Sequence, residues 1–318
     1  MLENAQSSIR NTRILITGGA GFIGSRLTQQ LLSSRHECLV VDNLTVGLPA
    51  PPPCAHLRFA ALDICDRDPL EKACQDFSPE TVVHLAAIHH IPTCEKNAPE
   101  AFRVNVVGFQ VVLDAAEKAG CEKVVLASSG AVYDWQEGPL REDSTPARPS
   151  DVYSLSKFTN EQQLRLWAQK TKGSAIAGRI FNTIGANDPN AHLIPDILRQ
   201  LQCSHANGKT VLKLGNTHTR RDYIYVEDTA ACLKRMVEGA IGSGVHVFNI
   251  GTGKEFDVAS LARMIADMKG MDCEITMNPA LVRKVDRQSQ LADITRAVSL
   301  LGWKPRYSLT EALRLVIQ

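Results

Sequence analysis

Three residues frame the chemistry open to this chain of 318 residues. Tyr153 and Lys157 stand four apart in Asp151-Val152-Tyr153-Ser154-Leu155-Ser156-Lys157, so a helix there puts a phenol and an ammonium on one face. A free phenol ionises near a pKa of about 10, too high for a base at neutral pH. A neighbouring cation favours the phenolate, and the pair then suits moving a proton to and from an alcohol. Ser129, at the tip of an apolar run, is placed to hydrogen-bond the same oxygen. By itself the Tyr-x-x-x-Lys spacing is common on solvated helix faces, so the reading needs an acceptor for the hydride that an alcohol loses with its proton.

Such an acceptor is implied upstream. Thr17-Gly18-Gly19-Ala20-Gly21-Phe22-Ile23-Gly24 follows the apolar Ile14-Leu15-Ile16 and precedes a helical pattern from Ser25 to Ser33. Strand, glycine turn and helix are the setting of a dinucleotide fingerprint. Gly18 permits the turn, Gly21 admits a pyrophosphate close to the backbone, and Gly24 lets the helix approach the sheet. The pyrophosphate then meets the unpaired N–H groups of the helix start. A second apolar run, Cys38 to Val41, ends at Asp42, where a carboxylate accepts from an adenosine ribose and repels the extra phosphate of NADP. The reading is therefore NAD, against the plainer one of an Asp that caps a turn.

The bulk numbers exclude several classes. A net charge of +1 gives no basic surface for nucleic acid or anionic lipid. Nine scattered cysteines with no Cys-x-x-Cys pair predict free thiols in a reducing compartment rather than disulfides or a zinc site. The nine histidines are dispersed, and no metal is predicted. No apolar run nears the roughly 20 residues that cross a bilayer. Met1 to Asn11 is polar and without the apolar stretch of a signal peptide, and reads as a loose tail. A cytoplasmic protein is expected.

Further strands are predicted at Leu57 to Leu62, Thr81 to Leu85 and Lys123 to Ala127, with helices at Pro69 to Asp76 and Ala98 to Lys118. Alternation of this kind predicts a parallel sheet covered by helices on both faces, with ligands beyond the carboxyl ends of its strands. After about Arg179 the chain gains Pro, Asn and Gly and loses regular period, the mark of a smaller substrate-covering region. Val245 to Ile250 reads as a late strand that returns to the sheet.

Taken together these pieces resemble the extended short-chain dehydrogenase/reductases of the NAD-dependent nucleotide-sugar epimerase/dehydratase family. The matching motifs include TGGAGFIG at Thr17–Gly24, Asp42-Asn43-Leu44, Asp63-Ile64, HLAA at His84–Ala87, Asn105-Val106-Val107-Gly108 and Ser128-Ser129 with Val132-Tyr133. Tyr153-x-x-x-Lys157, Arg179-Ile180-Phe181-Asn182, HLIP at His192–Pro195, Arg221-Asp222-Tyr223, Asn249–Gly253, Ala292-Asp293 and Leu301–Pro305 continue them in family order. The resemblance implies an α/β fold: a doubly wound parallel-sheet Rossmann domain over residues 12–178, with returning segments near 220–250, and an interleaved, mainly substrate-binding domain over 179–318. It implies NAD contacts at Gly18, Gly21, Phe22, Ile23, Asp42, Asn43, Asp63, Ile64, Leu85, Ala86, Ala87 and Asn105, completed by Ser128, Tyr153, Lys157 and Phe181. It places Asn182, Leu193, Arg221 and Arg283 where relatives hold a nucleotide diphosphate, a group that suits arginine forks. Lys284-Val285 stands where relatives follow the second arginine with Pro-Gly. A homodimer through the helices Ala98 to Lys118 and Ser154 to Gln169 is implied in the same way.

Among such relatives the residues after Ser129 separate the reactions. Dehydratases carry Asp-Glu there and decarboxylases usually Glu; this chain has Gly130-Ala131, neither of which moves a proton. What remains is redox at one carbon, as in the UDP-galactose 4-epimerase-like enzymes: Tyr153 takes the proton of the sugar 4-hydroxyl, Ser129 steadies the developing carbonyl and Lys157 holds the nicotinamide ribose. The alternatives are a dehydratase or decarboxylase that recruits another group, and a non-catalytic nucleotide-binding protein on the same fold. His90 stands where many relatives have Ser, and is read evenly as a sugar contact or as a packed loop imidazole.

Overall fold

The computed structural model describes residues 11–46, 48–134, 136–189, 193–204, 210–282 and 287–317. Residues 1–10 of the expected amino-terminal tail, His192 and Arg283 lie outside the described residues.

Seven parallel strands form the central sheet, in the spatial order Gly244–Ile250, Ser174–Ile180, Lys123–Ser129, Thr81–His84, Arg13–Thr17, Glu37–Asp42 and Leu57–Ala61. Alternating side chains leave opposite faces of a strand, and the core divides accordingly. Leu15, Val82, Val124 and Leu126 join one buried cluster, while Ile14, Ile16, Val83 and Val125 join another. Both faces are thus dry, which is why these strands are apolar throughout. The helices Arg67–Phe77, Phe109–Lys118 and Val152–Thr171 cover the first face, through Leu70, Phe109 and Leu164 among others. Phe22–Ser33, Val226–Glu238 and Thr295–Leu301 cover the second, through Leu27, Leu233 and Ala297.

Two elements differ from the sequence reading. The expected helix over Ala98 to Lys118 is three segments: Ala98–Phe102, a wider π-helical stretch Arg103–Gly108, and Phe109–Lys118. Such a bulge re-aims side chains, and this one holds Asn105 fully buried toward the sheet rim. Ser174–Ile180 is a central strand not named in the sequence reading.

A third cluster gathers the later chain. Ile197 and Leu201 of Leu193–Ser204, Leu212 of Thr210–Leu214, Leu261 and Ile265 of Val258–Met268, and Leu313 of Leu309–Ile317 meet there. A small sheet in the order Glu255–Asp257, Arg220–Tyr225, Asn182–Ile184 faces the rim of the large one.

Candidate active site

The site grows from the carboxyl ends of the central strands. Gly18 leaves the first strand with φ of +71°, and a Cβ on it would stand 2.6 Å from the Ala86 backbone nitrogen. Only glycine combines that left-handed backbone with that approach. Gly21 caps the helix Phe22–Ser33 with no side-chain bond over its start, and a Cβ on Gly24 would collide with the Gly18 carbonyl. The result is a cradle of bare backbone at a helix amino terminus, with the donors a pyrophosphate needs. Asp42 sits beside it, about nine-tenths buried, accepting from Ala20 N at 3.0 Å and Leu44 N at 2.9 Å. Each of its oxygens retains a second lone pair for a ribose hydroxyl. Asp63 accepts from Cys65 N at 2.8 Å and from Asn43 Nδ2 at 3.2 Å. Burial raises its pKa, but these bonds and Arg103 outweigh burial and hold it below the usual carboxylate range. These residues fit an adenosine diphosphate moiety, and with it NAD.

Asn105 is buried with its amide engaged inside the protein: Oδ1 accepts from Ile88 N at 2.8 Å, and Nδ2 donates to Ile88 O and Ser156 Oγ, each at 2.9 Å. It pins the segment after Ala87 to the helix that carries Tyr153. Leu85, Ala86, Ala87 and Ile88 form a half-buried ledge on the rim.

The reactive groups stand on the helix Val152–Thr171. Asp151 caps it, accepting from Ser154 N at 2.7 Å, and Glu95 accepts from Val152 N at 2.8 Å. Tyr153, Lys157 and Glu161 follow at four-residue spacing and face the ends of two strands. The Ser129 hydroxyl acts on the Tyr153 phenol in favour of its anion, while its Oγ accepts from Ala131 N at 3.1 Å. Lys157, almost fully buried, donates to the Ala127 carbonyl at 2.9 Å and lies 6.0 Å from the Tyr153 ring. Burial pushes the Tyr153 phenol up to about 12, with the Ser129 bond pulling the other way. Burial pushes the Lys157 ammonium down to about 8, so it stays charged at neutral pH.

Ser128 points away, donating to Glu161 Oε1 at 2.6 Å. Glu161 forms a buried fork with Arg179, at 2.9 and 2.7 Å, and Arg179 lies 4.4 Å over the Tyr133 ring. This anchor, absent from the sequence reading, clamps the helix that carries Tyr153 and Lys157 to the strands. Its signal was present in the spacing of Glu161 from Tyr153 and Lys157.

On the substrate side, Phe181 is buried with its ring 3.1 Å from where a Cβ on Gly130 would stand. Asn182 Nδ2 reaches Asp222 O and Gln290 Oε1, each at 3.4 Å. Leu193 opens its helix, half-buried against the third cluster. Arg221 Nη1 donates to Arg220 O at 2.8 Å and Arg287 O at 2.7 Å. His90 caps the short helix Ile91–Lys96, and its Nδ1 meets Thr93 Oγ1 at 2.9 Å. Among the described residues there is no group of three His, Cys, Asp or Glu placed to hold a metal ion, and no helix long and apolar enough to cross a membrane.

Comparison with known proteins bears on the family and the fold. A UDP-glucose 4-epimerase from Lactobacillus helveticus is 32% identical over 316 residues, covering 93% of this chain and 92% of that protein. The UDP-glucose 4-epimerase of Thermotoga maritima, solved with UDP-glucose, superposes with a TM-score of 0.86 at 28% identity, covering 96% of this chain and 97% of that one. That of Thermus thermophilus, solved with NAD, gives a TM-score of 0.85 at 28% identity and the same coverage. Residues 14–251 match the sequence model of one family, and the chain therefore belongs to the NAD-dependent epimerase/dehydratase family.

Proposed function

We propose that this protein epimerises a nucleotide-diphosphate sugar at C4, most simply a UDP-sugar, with NAD as resident cofactor. The observation that carries the reading is the meeting of Ser129, Tyr153 and Lys157 on the rim with no carboxylate at the two positions after Ser129. Gly130 has the Phe181 ring against it, so an acidic side chain has no room there without moving the ring. General acid–base elimination of water needs such a group within hydrogen-bond reach.

NAD, when bound on the Gly18–Gly24 cradle, would supply a hydride acceptor and donor for C4 and a positive ring that, with Lys157, favours the phenolate. Tyr153 takes the 4-hydroxyl proton and later gives it back. Ser129 donates to the oxygen as it becomes a carbonyl. Asn182, Leu193 and Arg221 keep the diphosphate anchored while the 4-keto sugar turns its other face; Arg283 has the same assignment by resemblance alone. Asp42, Asp63 and Asn43 seat the adenosine end, Phe181 shapes the wall between cofactor and sugar, and Ser128 supports that wall from behind through Glu161.

The proposal includes a cytoplasmic homodimer. Leu155 and Leu166, eleven residues apart on one helix face, are 44% and 64% exposed, and Val107 on the adjoining π-helical stretch is 55% exposed. All nine cysteines are free thiols, which suits a reducing compartment.

The test is incubation of the purified protein with UDP-glucose, UDP-N-acetylglucosamine and UDP-glucuronate. The expected product is a C4 epimer of unchanged mass. Loss of water or carbon dioxide would shift the reading to a dehydratase or decarboxylase, and absence of turnover to a nucleotide-binding protein.

A further inference from the structure

Arg287 lies far along the chain from Ser129, yet its guanidinium spans the turn that follows that residue. Nη2 donates to the Ala131 carbonyl at 2.6 Å, and Nη1 to the Gly130 carbonyl at 3.3 Å. Nη2 also reaches Ser150 Oγ at 3.5 Å. Its own carbonyl accepts from Arg221, so the segment ties the diphosphate side of the cleft to the catalytic turn. Ala131 is held on both sides: its N–H donates to Ser129 Oγ and its carbonyl accepts from Arg287. With one Ser129 lone pair so occupied, the hydroxyl hydrogen and the second lone pair are left for Tyr153 and the reacting oxygen.

Charge points the same way. Asp151, the cap of the catalytic helix, is an anion near Tyr153 and opposes formation of the phenolate. Burial works against the Arg287 cation and lowers its pKa; Asp151 is its leading attractive charge, Arg221 opposes and Asp134 adds, and the Nη2 contact with Ser150 Oγ sets the guanidinium next to the residue before Asp151. The other groups that face Tyr153 are Lys157, Cys94 and the Ser129 hydroxyl.

We infer that Arg287 is a positioning residue for catalysis: it fixes the turn that aims the Ser129 hydroxyl, and its charge offsets Asp151 beside Tyr153. The inference rests on Ser129 and Tyr153 acting as proposed above.

The experiment measures steady-state kinetics of Arg287→Met and Arg287→Lys on the accepted UDP-sugar across pH. Arg287→Met is expected to lower kcat roughly 10- to 100-fold, the scale of a misplaced catalytic group. Its KM stays within about threefold, since uniform binding is untouched. The acidic limb of its kcat profile moves to higher pH, because the base has lost a compensating cation. Arg287→Lys regains most of kcat and keeps the limb in place. Asp151→Asn retains a capping oxygen and moves the limb to lower pH, a readout that stands even if Arg287→Met does not fold. An unchanged kcat and limb in Arg287→Met, a loss confined to KM, or no shift in Asp151→Asn overturns the inference. Tyr153→Phe is run alongside: if it is fully active, the underlying reading fails. If it is inactive while Arg287→Met behaves as wild type, only the Arg287 inference fails.

Discussion

The two sides of the cleft are built by opposite means. The cofactor side is defined by atoms that are missing: Gly18, Gly24 and Ala86 meet as bare backbone at distances a single added methyl would violate. The side proposed for the substrate is built by long side chains from distant segments, Arg221 and Arg287 among them, each donating to a backbone carbonyl. Backbone donors are rigid and already in place, which suits a cofactor that stays bound through the cycle. Guanidinium forks bind a diphosphate tightly while leaving the sugar beyond it room to turn. The contrast says where each side is fragile: the first to added volume, the second to removed charge.

The seam between them is the most sensitive place. Tyr153→Phe deletes one oxygen and is expected to lower kcat by about 10²- to 10⁴-fold, the share of a general acid–base group, with NAD still bound; turnover near wild type would refute the assignment. On the cofactor side, Gly18→Ala adds one methyl. It forces a left-handed alanine, at a cost of about 1–2 kcal/mol, and drives a Cβ against Ala86. Both thermal stability and NAD affinity should fall, by equilibrium denaturation and cofactor titration. A variant that binds NAD as tightly as wild type would break the claim that empty space defines this side. On the substrate side, Arg221→Met should raise KM by roughly 10- to 100-fold, the worth of a charged hydrogen bond, with kcat within a few-fold. Loss of kcat instead would mean that Arg221 acts on the turning sugar, and not on an anchored diphosphate.

The same contrast explains how much was legible in the sequence. The cofactor cradle is local: strand, turn and helix cap lie within about a dozen residues, and each glycine answers a backbone demand that a spacing can display. Tyr153 and Lys157 are equally local, joined by one helical turn. Arg287 is not, because nothing near it in the chain says that its guanidinium crosses to Gly130 and Ala131. The pair Glu161–Arg179 depends on the register of Ser128 beside Arg179 in neighbouring strands, which is a property of the sheet. Ser174–Ile180 escaped because Ser-Ala-Ile-Ala-Gly-Arg-Ile has weak strand propensity; burial between two neighbours makes it a strand. The break in the helix at Arg103–Gly108 ends where Gly108 packs closely on Ile64 and Cys65, a contact between segments that the local spacing does not display.

The smallest expected effect concerns what the seam costs the fold. Lys157 is an almost fully buried ammonium that donates to the Ala127 carbonyl, and burial lowers its pKa from 10.5 to about 8. An unfolded chain therefore holds the Lys157 proton more tightly than the folded one between those two values, so this group makes the wild type more stable as pH rises through that window. Below about 8 both states are charged and the full burial penalty stands. Lys157→Met removes that penalty and loses one hydrogen bond, two terms of opposite sign, for a net gain of about 1 kcal/mol. The cofactor-free variant should thus melt a few degrees above wild type at neutral pH, with the gap closing toward pH 10.5, while turnover is lost. A variant that melts below wild type at neutral pH would show that the ammonium is better paired in the fold than its burial implies. It would also move Lys157 from the groups that trade stability for chemistry to those that hold the helix in place.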